Sequence, residues 1–557
     1  MKKQKKNPKL FGMGRSFLVD IKKEFEGYNL NSLRKDTLAG ITVTAVALPL
    51  ALAFGVGSGA SAASGLITAI IAGVIIGVFS GASFQISGPT GAMTAILITL
   101  VAKYGLNGIF VACFMAGIIL VVAGILKLGR IISIIPSSVI TGFTSGIAVI
   151  IALGQLDNFF GVKSPGSHAI AKLASYFSGG LAPNWYAVGI GFVVILIMIA
   201  WPKRWNSVVP SSLVSLAVVL IANLFLKLDV DTVGHIPHTL FLSERLDFAS
   251  ISWEQIQGLI LPSVSIAALA MLESLLCGAV GSKLTGEKIH GDRELVAQGI
   301  GNIIIPFFGG VPATAAIART SVAIKSGGVT RMTGIIHAAG ILLAMFVLSP
   351  VMSAIPLSAL AGVLMVTAWR MNDWDNIFYI FKNRFYSGMA KFFVTFFATV
   401  ILDLTQAIII GVVFSSFLIV MRIADIEINV SDIDKERLEE IGIDLEGDPK
   451  GIRIAYLSGT IFFAVVEKLS NYVLSKPDTQ VIILSMRGVP VVDISGVQAL
   501  MELNEELKAK GIKMMLTSVQ PKVLKMLERG KLVKNIGEEY IFDSAEHAIV
   551  YAHEFYS

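Results

Sequence analysis

FFGGVPATAAIART, residues 307–320, lies deep in an apolar chain and reads poorly as an ordinary membrane-spanning helix. Gly309 and Gly310 loosen the backbone, and Pro312 suits the first turn of a new helix. The stretch that follows, Ala313 to Ile324, is about half the length needed to cross a bilayer. It therefore reads as a half-helix starting near the membrane midplane, led in by an extended segment. The first N–H groups of such a helix have no intrahelical partners, and the helix dipole makes that end an anion site. Irregular backbone at that depth survives only where protein or a water-filled cavity covers it.

A second stretch echoes the first. FQISGPTGAMTA, residues 84–95, again has a short extended piece, Gly88, Pro89, and small residues opening a helix. Aligning Pro89 on Pro312 puts Thr90 on Ala313 and Gly91 on Thr314. Two interrupted segments at matching places in two halves mark a transporter's binding site.

The composition agrees. The chain has 557 residues, 54% hydrophobic and 15% charged, with a mean hydropathy of +0.74, which is a membrane protein's balance. The net charge of +6 is concentrated in loops and the N-terminus, so it reads as topology and not as nucleic-acid binding. Cys113 and Cys277 both sit in apolar runs with neither CxxC nor Cys/His spacing, so no metal site or disulfide framework is suggested. The basic start MKKQKKNPKLFGMGRS has no apolar signal core directly after it. Residues 1–36 read as a cytoplasmic, membrane-hugging lead-in, with Phe17, Val19, Ile21 and Phe25 among Lys22, Lys23, Arg34 and Lys35.

Apolar run lengths and breaker residues predict about fourteen membrane segments, half-helices included, over residues 37–422. The first seven are 38–56, 64–80, 88–103, 107–127, 134–156, 184–201 and 207–226. The second seven are 255–282, 293–308, 312–325, 330–349, 355–369, 388–403 and 405–422. The expected inner loops carry Lys127, Arg130, Lys203, Arg204, Lys283, Lys288, Arg293, Lys325, Arg331, Arg370, Lys382 and Arg384. The long outer loop, 227–254, is acidic. This asymmetry puts both ends in the cytoplasm, and an odd repeat of seven spans inverts the second half relative to the first. Residues 423–450 read as a charged linker. From 451 to 557 the pattern becomes a small cytoplasmic α/β domain. Its strands are IRIAYLSG, TQVIILSM and IKMMLTS, and its helices 464–475, 495–510, 520–529 and 543–555. No Walker A or GxGxxG sequence occurs, so no nucleotide cofactor is expected and transport should be secondary.

The motifs ALPLALAFG (47–55), ISGPTGAMT (86–94), DRELVAQGIGN (292–302) and FFGGVPATAAIART resemble the SulP family of anion transporters. VVDISGVQAL (491–500) resembles the central loop and helix of STAS domains, named for sulfate transporters and anti-sigma-factor antagonists. The resemblance covers about residues 30–555. It implies a seven-plus-seven inverted repeat with a core and a gate domain, a homodimer, and substrates among sulfate, bicarbonate, chloride and dicarboxylates. It also implies a fold shared with nucleobase permeases.

Several residues are candidates for the site. Glu273, in LAMLESLLCG, is an acid inside an expected span, where a carboxylate costs roughly 3 kcal/mol on insertion scales. It reads either as a structural acid or as the site of a coupling cation. The proline alignment sets Leu50 opposite it, where other family members resemble a PEA pattern and this chain has Pro49, Leu50 and Ala51. Arg319 falls seven residues beyond Pro312, where the family places a basic residue. It can attract the anion, compensate Glu273, or snorkel to the inner surface. Thr90 and Thr314 can donate to an oxyanion beside the N–H groups of Gly91, Ala92, Thr314 and Ala315, with Ala313 and Gly88 close by. They can equally cap their own helices. Gln85 and Ser87 are candidates to line the same cavity. His337 reads as a packing histidine more readily than a proton relay. Ser495, in DISG, matches the serine that stand-alone STAS proteins phosphorylate, and also suits a plain helix start.

The reading is a transporter of a small inorganic oxyanion in the cell membrane, sulfate-like and coupled to a cation. The helical neighbours of Glu273 are Leu269, Ala270, Leu276 and Cys277, and the facing half-helix offers Ala315, Ala316 and Ile317. No side-chain oxygen is expected beside the carboxylate. Sodium needs several oxygens, whereas a carboxyl held away from water suits a proton. The expectation is therefore proton symport, with sodium-dependent bicarbonate uptake as the alternative. Dicarboxylate or nucleobase transport on the same fold, and a membrane sensor signalling through the STAS domain, are further alternatives.

Overall fold

The computed structural model describes residues 17, 19–130, 136–164, 176, 182–202, 205, 209–249, 252–402, 404–423, 427–440, 442–445, 449–461 and 478–556. It divides into two compact units, Met1–Phe414 and Ser415–Ser557. The first is helical: α1 (Leu30–Gly57), α2 (Ala62–Phe79), α3 (Gly91–Ile125), α4 (Ser137–Gly154), α5 (Trp185–Ala200), α6 (Ser211–Leu226) and α7 (Trp253–Thr285). There follow α8 (Gly291–Ile304), α9 (Ile317–Lys325), α10 (Met332–Val347), α11 (Leu357–Met371), α12 (Trp374–Lys382) and α13 (Tyr386–Ile401). Then α14 (Leu404–Ile423) leads the chain into the second unit. Among the described residues, five helices are long and apolar enough to cross a membrane: α1, α2, α3, α7, and α4 with the turn after it.

The helices sort into two packed sets. α1, α2, α3, α7, α8, α9 and α10 contact one another extensively, and so do α4, α5, α6, α11 and α13. Small residues set the spacing inside the first set. A Cβ on Gly117 of α3 would lie 2.7 Å from the Gly299 carbonyl of α8, and one on Gly299 the same distance from the Gly117 carbonyl. Only backbone against backbone fits there. The outer faces of α5 and α6 expose Phe192, Leu196, Ile199, Ile221 and Phe225, an apolar surface suited to lipid.

Two local features differ from the expectation, and the described part of the lead-in adds a third detail. α3 runs through two expected spans, and the break between them is Gly105, whose φ is +69°. α12 occupies a stretch expected to lie between spans; it is amphipathic, and its Asp373 cap accepts from Asn376 N–H at 3.3 Å. The lead-in packs on protein along one face. The Phe17 ring stacks on Phe79 at 6.0 Å, Asp20 pairs with Arg293 at 2.6 Å and Glu24 with Arg331 at 2.7 Å. Spacings of three and four put these three residues on one helical face. Asp36, fully buried, completes the attachment. It accepts from Val329 N–H (2.7 Å), Thr330 N–H (3.1 Å), and the Thr330 (2.7 Å) and Thr333 (2.9 Å) hydroxyls, joining α1 to the start of α10.

The second unit is built on a five-stranded sheet in the order β3 (Glu427–Asp432), β4 (Ile452–Ser458), β5 (Val481–Gly488), β6 (Lys513–Thr517), β7 (Ile541–Phe542). β3 pairs antiparallel with β4, and the remaining pairs are parallel. The central strands are near-continuous apolar runs because both of their faces are covered. Helices α15 (Ile494–Ala509), α16 (Pro521–Arg529) and α17 (Ala545–Tyr556) follow their expected positions. The expected helix 464–475 lies outside the described residues. The stretch read as a linker holds β3, whose Asp432 accepts from Arg453 Nε at 2.9 Å. Alternation was hidden there by the charges around it. A fragment starting at residue 427 should therefore unfold at higher urea than one starting at 450, by on the order of 2 kcal/mol, since the shorter one loses a whole edge strand. Circular dichroism on the two fragments measures the difference.

Candidate functional site

The two broken segments meet. β1 (Ser87–Gly88) pairs antiparallel with β2 (Thr314–Ala315), with Ser87 opposite Ala315 and Gly88 opposite Thr314. Flanking bonds extend the pair: Ala316 N–H donates to the Ile86 carbonyl at 2.9 Å, and Ile86 N–H to the Thr320 hydroxyl at 3.0 Å. All four residues of β1 and β2 are buried. Backbone that would otherwise face an apolar interior unpaired is satisfied strand to strand.

The pairing corrects the second half-helix. It was expected to begin at Pro312, but Ala313, Thr314 and Ala315 are extended and α9 begins at Ile317. Ala313 N–H donates to Asn302 Oδ1 at 2.8 Å, and Ala315 N–H to Ser274 Oγ at 3.3 Å. These N–H groups are thus occupied, not free for an anion. The cap residues are Thr90 for α3 and Ala316 for α9, so the true correspondence runs three residues later than the proline alignment. The match of Leu50 with Glu273 lapses with that alignment. Neither α3 nor α9 has a side-chain cap. The orphan donors at the second start belong to Ile317 and Ala318, with those of Gly91 and Ala92 at the first.

The threonines do not cap their helices. Thr90 Oγ1 donates to Glu273 Oε2 at 2.8 Å, so the carboxylate has a side-chain oxygen beside it after all. Sequence neighbours of Glu273 could not reveal a partner arriving from another helix. Thr314 Oγ1 turns away to Ser274 Oγ at 2.9 Å and the Ala270 carbonyl at 3.3 Å. Arg319, 1% exposed, does not snorkel. Its Nη2 donates to the Pro89 carbonyl at 2.6 Å, tying the first turn of α9 to the end of β1. Among the described residues its Nε and Nη1 have no partner. A Cβ on Gly88 would lie 2.5 Å from Nη1, so only glycine leaves room for the guanidinium. Glu273 and Arg319 make no ion pair among the described residues.

Gln85 and Ser87 serve the scaffold. Gln85 Nε2 donates to the Ser274 carbonyl at 2.7 Å, and Ser87 Oγ accepts from Gln298 Nε2 at 2.9 Å. Three residues of α8 that sequence reasoning passed over are fully buried here: Glu294, Gln298 and Asn302. Their spacing of four, polar side chains in an apolar span, was the available signal. His337 is buried, its Nδ1 3.4 Å from the Thr44 hydroxyl and its Nε2 without a partner among the described residues. Ser495 is exposed in the first turn of α15, where Asp493 caps by accepting from Gly496 N–H at 2.6 Å.

Two cavities compete as the place for a ligand. The larger, about 570 Å³, has three acids, Asp157, Asp229 and Asp231, against one base, Lys163, in its wall, a net negative surface that suits an anion poorly. The smaller, about 30 Å³, lies between α4 and α7 with Glu273 and Thr144 as its polar members. It has room for about one water. An anion would have to open it, and the adjacent helix starts are the groups that could hold one.

Broken segments meeting in an apolar helical unit are a feature of many transporter folds. The sulfate permease family model matches residues 33–399, and a STAS domain model matches residues 445–548; the chain belongs to the sulfate permease family, whose members are anion transporters and not enzymes. YvdB of Bacillus subtilis, which carries a provisional sulfate-transporter name, is 33% identical over 93% of this chain and 98% of its own. The bicarbonate transporter BicA of Synechocystis is 30% identical over 94% of each chain. The transmembrane domain of a cyanobacterial BicA superposes with a TM-score of 0.63 at 29% identity, covering 70% of this chain and 98% of that one. Murine Slc26a9, an anion transporter in the inward-facing state, shares the fold with a TM-score of 0.84 at 16% identity, over 99% of this chain and 96% of that one.

A Cβ on Gly91 would lie 2.9 Å from Ile151, 3.2 Å from Phe54 and 3.3 Å from Met371. Gly91→Leu should therefore weaken anion binding at least tenfold, measured by calorimetry on the purified protein. Gly77→Leu, at a glycine with open space around it, should leave binding unchanged.

Proposed function

We propose that this chain moves a small inorganic oxyanion, sulfate or a close chemical relative, across the cell membrane by secondary active transport. The observation that carries the reading is the pair of uncapped helix starts held together by β1 and β2, beside the half-buried Glu273–Thr90 pair. Peptide N–H groups hold an oxyanion without carrying a full charge, so binding need not be too tight for release. A neutral nucleobase ring would want side-chain hydrogen bonds, and the helix starts present Gly91, Ala92, Ala316 and Ala318 instead. The lysine and arginine bias of the loops supports cytoplasmic placement of both the N-terminus and the STAS domain. The exposed apolar faces of the helices leave surface for lipid and for a second copy, so the working unit is proposed to be a homodimer.

The coupling ion is proposed to act at Glu273. Among the described side chains one hydroxyl, that of Thr90, hydrogen-bonds the carboxylate, and the cavity beside it is otherwise almost wholly apolar. Proton binding needs only the carboxylate itself, whereas sodium needs several oxygens at once. This supports proton symport. The Thr90 oxygen, together with the likeness to BicA, favours a second reading, sodium-driven uptake of bicarbonate.

Proteoliposomes separate the two. With acid outside and no sodium, labelled sulfate should accumulate, and Glu273→Gln should abolish accumulation while still binding sulfate. Accumulation that requires inward sodium and ignores the pH gradient would replace the proton by sodium.

A further inference from the structure

The crossing is too short to set its own register. β1 and β2 contribute two residues each, and so small a ladder is marginal by itself. Slipping β2 by one residue would move the start of α9 by about 3.3 Å and turn its side chains over. That displacement exceeds the whole tolerance of a hydrogen bond to an anion. Something outside the strands must hold them in place.

Helix α8 supplies the means. Glu294, Gln298 and Asn302 lie four residues apart, so they form a stripe with rungs about 6 Å apart along the axis. At the first rung, Glu294 Oε2 accepts from Ser80 Oγ at 2.6 Å and Gly81 N–H at 2.9 Å, fixing the chain where it leaves α2. At the second, Gln298 Nε2 donates to Ser87 Oγ in β1 at 2.9 Å and to Glu294 Oε1 at 2.8 Å. At the third, Asn302 takes both sides of one peptide residue. Its Oδ1 accepts from Ala313 N–H at 2.8 Å, and its Nδ2 donates to the Ala313 carbonyl at 2.9 Å. The asparagine amide thus acts as one more residue of sheet beside β2. A second bond from Nδ2 to the Gln298 carbonyl, 2.8 Å, links the two upper rungs. All three side chains are at most 1% exposed, so water cannot replace a lost bond cheaply.

We infer that Glu294, Gln298 and Asn302 are the positioning residues of the anion site, with Gln298 and Asn302 setting the registers of β1 and β2 and thereby the placing of the two helix starts. None of the three offers a hydrogen to the anion. Each acts through Ser80, Ser87 or Ala313. The inference rests on the proposed anion site, but the register claim has its own readout.

Asn302→Asp keeps the shape and the acceptor for Ala313 N–H and sets an oxygen against the Ala313 carbonyl. In this variant KM for the transported anion should rise at least tenfold with little change in maximal rate. Amide exchange of residues 307–320, followed by mass spectrometry without anion, should quicken at least tenfold, while the thermal midpoint of the remaining helices holds. Ser87→Ala and Gln298→Ala each remove one partner of the second rung, so each should raise KM and the double variant should raise it no further. This pair carries the test if Asn302→Asp does not fold. Unchanged exchange in 307–320, unchanged KM, or additive effects of Ser87→Ala and Gln298→Ala would each overturn the inference. If the wild-type protein binds none of the anions offered, the proposed function fails, and exchange in 307–320 alone decides whether Asn302 holds the register.

Discussion

A peptide group in an apolar interior must find a partner, and the first unit is arranged around that constraint. Two stretches of chain leave helical geometry in the middle of a packed helical bundle. The unpaired groups this creates are met in three ways: by each other across β1 and β2, by the α8 side chains, and by Ser274 and Arg319. Two sets of donors are left over, at the starts of α3 and α9. The site is therefore what remains after the structural demands of the break have been met. Functional polarity and structural polarity here come from one source, the interruption itself.

The same logic accounts for the polar side chains inside the bundle that are committed to protein partners. Gln85, Ser87, Thr314 and Thr320 all look like candidate ligand contacts by residue type. Each is committed to a neighbouring backbone or hydroxyl group. Arg319 is the intermediate case. One nitrogen fixes Pro89, and two have no partner among the described residues. Its charge is thus part of the surroundings of the crossing whatever its hydrogen bonds do.

Much of this was legible in the chain. Gly88-Pro89 and Gly309-Gly310 punctuate long apolar runs, and punctuation at that depth has few meanings. The helices followed from run length, and the sheet of the second unit from its apolar runs. What could not be read was pairing between distant segments. Pro312 looks like a helix start by local chemistry, yet Asn302 and Ser87 hold the following three residues extended, and tertiary bonds overrode propensity. Thr90 meets Glu273 across 183 positions of sequence, beyond the reach of any helical neighbour rule. Asp36 and the α8 stripe were visible as polar residues in or beside apolar runs, but their partners were not.

The α8 stripe ties together the end of α2, β1 and the residue before β2. Helices bound in this way are held as one piece, and both helix starts proposed to hold the anion belong to it, with α4 of the other set closing the small cavity beside Glu273. If such a piece changes its exposure by moving against the other helix set, the two helix starts travel unaltered. The affinity offered to either compartment is then nearly the same, and the molecule itself has no preferred direction. Which way the cargo flows is decided by concentrations and voltage alone.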